Sequence, residues 1–175
     1  MTPRRSVLQA LAAATSLGGL RIAAARPAGD ARVAPITDAG AAPARVLPLL
    51  GGGALDAAFL DGVAQAVREQ GCAREPLARI GLDALSLAQL SRRLDGDTAP
   101  RRVVALLDDA GAALALELLR AQGARLETFA PLRLPHSAAG AEQARAVARA
   151  LAGGTALPDA ADAAGVPCVA LACLI

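Results

Sequence analysis

The chain has 175 residues, 54% of them apolar and 19% charged, with 18 basic residues, all arginine, against 16 acidic ones and a single His. A net charge of +2 with no basic run longer than two residues leaves no footprint for nucleic acid, and two Phe without Trp or Tyr offer no base-stacking platform. Ala fills 47 positions, so about half of the apolar fraction is a side chain of one methyl, and three Cys are too few for a disulfide scaffold.

Arg4 and Arg5 open the chain, Val7–Leu20 is an uncharged stretch of 14 residues, and Ala23-Ala24-Ala25 supplies a small-residue cleavage pattern. Basic, apolar and small segments in that order are the layout of a secretory signal over residues 1–25. A stretch of 14 is shorter than the roughly 20 residues that span a bilayer. The Arg pair followed by Leu8 resembles a twin-arginine export signal, although Val7 stands where Phe is usual and Gln9 where Lys is common. That resemblance implies passage through the twin-arginine translocase to the periplasm. The alternative is an ordinary N-terminal helix on a cytoplasmic protein. Without residues 1–25 the chain keeps 15 basic and 16 acidic residues, so its basicity belongs to the leader. Residues 26–44 carry three Pro, two Gly and few large apolar groups, the composition of a flexible linker.

From residue 45 a strand–helix rhythm sets in. Arg45-Val-Leu-Pro-Leu-Leu passes through Gly51-Gly52-Gly53 into a helical pattern with Leu55, Phe59, Val63 and Val67 on one face, closed by Gly71. Arg102-Val-Val-Ala-Leu-Leu passes through Asp108-Asp109 into a second helix, closed by Gly123. Continuous apolar runs followed by helices predict parallel strands covered on both sides. Leu77–Ile80 reads as a short strand, and Ser86 with Gln89 as a capping box for a helix carrying Leu87, Leu90 and Leu94. Leu126–Ala130 reads as a strand that Glu127 assigns to an edge or an exposed face, and residues 138–152 as a helix closed by Gly153-Gly154. Val166–Ile175 is apolar enough for a buried last strand whose start, at Pro167, belongs at an edge. The sum is one three-layer α/β domain over residues 45–175. Its sheet is expected to be mostly parallel, of about five strands with helices on both faces, Rossmann-like or flavodoxin-like. An Ala-rich helical bundle is the alternative.

In such a sheet ligands sit beyond the carboxyl ends of the strands, which nominates Gly51, Gly52, Gly53, Asp83, Asp108, Asp109 and His136. Gly51–Gly53 would let a backbone approach an anion at a helix N-terminus. However, the dinucleotide fingerprint needs Gly where Asp56 stands, and the chain has no Lys for a phosphate loop. Asp108 and Asp109 suit a hard cation or acid–base chemistry, while one of them is expected to cap the following helix. His136 is the sole imidazole, which excludes any site needing two, and no G-x-S-x-G elbow exists for a Ser-His-Asp triad. No C-x-x-C is present, so neither a dithiol redox motif nor a structural zinc is expected. Cys168 and Cys173, five apart on one strand, should face opposite sides.

The order from Arg45 to Pro131 covers about half the chain. A strand and a helix with Phe59 come first, then Leu94-Asp95-Gly96-Asp97, the strand Val103–Leu107, a Leu-rich helix and Gly-Ala-Arg-Leu. With the Arg4-Arg5 leader, it resembles small proteobacterial α/β proteins that carry a twin-arginine signal and have no established activity. The resemblance implies compartment and fold, and no residue roles. Three functions fit these residues. The first is an exported, non-catalytic domain that binds a small ligand or a protein partner. The others are a small enzyme with an Asp/His metal or acid–base site, and a structural or oligomeric accessory subunit.

Overall fold

Two apolar runs form the centre of the sheet. In the computed structural model, which describes residues 45–95, 99–158 and 165–175, β1 (Arg45–Leu50) pairs in parallel with β4 (Arg101–Leu107) along its full length, from Arg45 opposite Arg101 to Leu50 opposite Leu106. Two short strands, β2 (Ala73–Arg74) and β3 (Ala78–Arg79), lie in parallel on the other edge of β1. β6 (Val166–Leu174) and β5 (Arg125–Leu134) complete the order β2-β1-β4-β6-β5, with β3 beside β1. The four helices are α1 (Asp56–Gln70), α2 (Ala84–Leu94), α3 (Asp109–Ala121) and α4 (Ala138–Gly153). The leader and linker assigned to residues 1–44 lie outside the described residues.

Alternation along the central strands fills two cores. Val46, Leu50, Val104, Leu106, Ala170 and Ala172 face α1 and α4, whose Phe59, Val63, Val147 and Leu151 cover them. Leu47, Leu49, Val103, Ala105, Val169 and Leu171 face α2 and α3, whose Leu90, Leu94, Ala112, Ala115 and Leu119 do the same. This is the three-layer α/β class, and a helical bundle is ruled out. Small side chains set the spacing. A Cβ on Gly62 of α1 would lie 2.9 Å from the Cα of Arg145 and 2.8 Å from the Cβ of Ala148 on α4. Gly62 therefore packs directly on the backbone of Arg145 and the methyl of Ala148. Gly62→Val should cost about 1–3 kcal/mol through forced separation of α1 and α4, read as a lower urea midpoint with unchanged slope.

The sheet is mixed, which corrects the expectation of a mostly parallel one. β6 runs antiparallel to both β4 and β5. The chain leaves α4 at Gly154, against the Arg102 guanidinium at the start of β4, yet β6 begins with Val166 opposite Leu134, at the finish of β5. A continuous apolar run reports burial on both faces, and helices on both faces bury a strand of either direction. The strand count also rises from five to six because the segment after Gly71 makes two short pairings. Pro167 is not on an edge strand as such: β6 is interior, but Pro167 lies beyond Val169, the last residue paired with β4, and pairs only with Arg133 of β5. The missing N–H thus falls where β6 has one neighbour. β5 is the edge strand, as Glu127 suggests. Arg102 reaches across β6 to Glu127 at 2.8 Å and donates a second bond to the Ala152 carbonyl near the end of α4.

Local signals behave as their chemistry requires. Gly71 and Gly154 stop α1 and α4 in left-handed conformation. Helix α2 starts one turn earlier than a Ser86–Gln89 box implies: Asp83 is its N-cap, accepting from the Ser86 backbone N–H at 2.9 Å and from its hydroxyl at 2.6 Å. Among the described residues no helix is long and apolar enough to cross a membrane.

Candidate functional site

β1 and β4 are adjacent and parallel, and their following helices leave to opposite faces, α1 to one core and α3 to the other. That divergence opens a crevice beyond the carboxyl ends of the strands. A cleft of about 210 Å³ occupies it. Its floor and walls are Gly51–Leu55 from the β1–α1 turn with Asp56 at the start of α1, Leu106–Asp108 from the end of β4, His136 from the β5–α4 turn, and Val166–Cys168 from the start of β6.

Each polar group is held there by a local device. Gly52, at φ +87°, turns the chain out of β1 in a conformation that L side chains rarely adopt. Its N–H donates to Asp56 Oδ2 at 2.9 Å. Burial raises the Asp56 carboxyl above the usual carboxylate range, opposed by the Gly52 and Gly53 backbone and by the Arg79 charge. Asp108 is the N-cap of α3 and accepts from the Gly111 N–H at 2.7 Å through Oδ1. Ser137 caps α4 by accepting from Gly140, which fixes His136 one residue before the cap, in the exposed mouth of the cleft. Cys168 is half-buried, with Sγ 3.7 Å from the Leu132 carbonyl, and burial first and Asp109 second push its thiol up.

The structure therefore unites Gly51, Gly52, Gly53, Asp108 and His136 in one cleft. It does not bring in Asp83 or Asp109. Asp83 is spent capping α2, and its hydrogen bonds from Ser86 hold its carboxyl below the ordinary value. Asp109 is exposed in the first turn of α3 and is not part of the lining. Asp56 and Cys168 are lining residues that sequence reasoning passed over. Asp56 stands three residues after Gly53, the distance at which a carboxylate folds back onto a preceding turn, and that spacing is readable. No sequence signal places Cys168, because its position depends on the direction of β6.

The arrangement changes the chemistry expected of the glycine turn. The backbone N–H that would meet a phosphate already holds the Asp56 carboxylate, and the N-terminus of α3 already holds Asp108. An entering anion would face both. Among the described residues no group of three or more His, Cys, Asp or Glu is placed to hold a metal ion. The three thiols are free. Cys168 and Cys173 face opposite cores, and Cys72 follows α1 beside β2, with β1 and β4 between that strand and β6. What fold and site define is a three-layer α/β domain with a cleft at its topological switch point. Comparison with protein-family models, curated proteins and solved structures finds no match for this chain.

Proposed function

We propose that this protein is an exported, non-catalytic α/β domain that binds a small ligand in the cleft between β1, β4 and the start of β6. One observation carries the reading: the cleft lies where adjacent parallel strands send their helices to opposite faces, and four separate chain segments converge on it. Its volume of about 210 Å³ matches a small molecule and not a protein segment. The polar groups in it act first as structural caps, which favours binding over catalysis. Asp108 and His136 share the cleft, so an acid–base enzyme is the second reading.

A thermal-shift screen of a fragment library tests the proposal. Hits should raise the melting temperature of the wild-type chain and lose their effect in Val166→Trp, which fills the cleft from a position 47% exposed. Hits that persist in the filled variant would place the ligand elsewhere. Export rests on the leader. Arg4→Lys/Arg5→Lys should retain the full-length chain in the cytoplasm, and N-terminal sequencing of the periplasmic form should begin near residue 26.

A further inference from the structure

We propose that the ligand of this cleft is a small organic cation, an ammonium carried on a short apolar arm. The inference rests on the cleft being a ligand site and names the class it takes. Both formally charged side chains in the lining are carboxylates, Asp56 and Asp108, and no Arg lines it. The nearest basic influence, Arg79, acts on Asp56 from β3 without belonging to the walls. The two features that ordinarily recruit an anion, a glycine turn and a helix N-terminus, are neutralised internally by these same carboxylates. The balance that remains is negative.

The acceptors are also incompletely used. Asp108 commits Oδ1 to the Gly111 N–H and is exposed, so Oδ2 is open to water or to a ligand. Asp56 is a carboxylate that burial disfavours, so a cation placed beside it relieves a cost that the protein otherwise carries. His136 stands at the exposed mouth of the cleft. An ammonium needs two or three oxygen or nitrogen acceptors and tolerates irregular geometry. A divalent metal needs more ligands, and the described residues hold no such cluster. The remaining surface is apolar: Leu55, Leu106, Leu107, Val166 and Pro167. A cation without an apolar arm would leave those walls wet. The cleft is small, about 210 Å³, which suits an arm of a few carbons.

Calorimetric titration of the intact protein with four probes tests the class: n-butylammonium, n-butanol, butyrate and inorganic phosphate. The expected order places n-butylammonium first, with n-butanol at least tenfold weaker and no heat from butyrate or phosphate. Asp108→Asn keeps the helix cap, since Asn caps as well as Asp, and Asp56→Asn keeps an acceptor for Gly52. Each substitution should weaken n-butylammonium about tenfold and leave n-butanol unchanged. Circular dichroism of both variants confirms the fold. Butyrate or phosphate binding better than the amine, in a manner lost in Val166→Trp, would overturn the cationic class and preserve the cleft. Equal amine affinity in wild type and the double Asn variant would also overturn it. Fragment hits indifferent to Val166→Trp would instead remove the ligand site itself.

Discussion

Arg101→Ala should lower the unfolding free energy by about 3–5 kcal/mol, the cost of orphaning one partner of a buried charge pair. Arg101 is the one buried charged residue among those described, 2% exposed at the first position of β4. Its backbone exchanges two hydrogen bonds of 3.0 Å with Ile175, which ties the last residue to the start of the central strand. Its side chain turns toward α2 and donates to the carbonyls of Arg93 at 3.3 Å and Leu94 at 2.5 Å, so a cation closes the negative end of that helix. Glu75 approaches to 3.8 Å and is itself largely buried. The pairing is imperfect, since Arg101 Nε and Glu75 Oε1 are buried without partners among the described residues. Removing the guanidinium therefore leaves two helix-end carbonyls and one carboxylate unanswered. Replacing both charges, in Arg101→Met/Glu75→Leu, should recover most of the loss, because an apolar pair of similar volume carries no desolvation cost. Chemical denaturation of the two single variants and the double variant measures the coupling. A loss below 1 kcal/mol for Arg101→Ala would show that water already serves these groups.

That residue also marks the limit of what the sequence makes legible. Arg101 and Arg102 are neighbours of identical type, and strand alternation sends them to opposite cores. Arg101 goes under α2, while Arg102 goes to Glu127 and the end of α4. Which of two adjacent arginines is buried depends on register, and register depends on partners distant in sequence. Signals that act over four residues are readable: the Phe59–Val63–Val67 face, a cap from the Asp108-Asp109 pair and the Gly71 and Gly154 stops stand in the fold as their spacing predicts, with Asp108 as the member that caps. The direction of β6 is not readable, because Val166–Leu174 is apolar on both sides whichever way it runs. That single reversal brings Val166, Pro167 and Cys168 into the cleft, where a parallel last strand would have put its opposite end. The candidate site was legible as Gly51–Gly53, Asp108 and His136, since strand ends locate themselves. Its fourth wall comes from topology.

Alkaline pH gives the second large effect, and composition makes it unusually clean. The chain has no Lys and no Tyr, and arginine stays charged above pH 12, so between pH 9 and 11 only thiols titrate. Cys173 sits opposite Val103 against the α2–α3 core, 1% exposed. Burial, with the Glu127 charge second and Arg120 opposing, pushes its thiol up to about 11 from the ordinary value of 9.0. The folded chain thus holds a proton that the unfolded chain releases. Below pH 9 both states are protonated and the full stability is present. As pH rises toward 11 the unfolded state gains by ionising, and stability falls by about 2–3 kcal/mol at 1.36 kcal/mol per unit. Cys168, also raised, adds loss in the same direction. Urea midpoints under reductant at pH 8, 9, 10 and 11 measure the fall, and Cys173→Ala should remove most of it. An undiminished fall in Cys168→Ala/Cys173→Ala would assign it to the backbone or to arginine and overturn the thiol account. The two cysteines then separate by place: Cys173 lies in the core, while Cys168 lines the cleft.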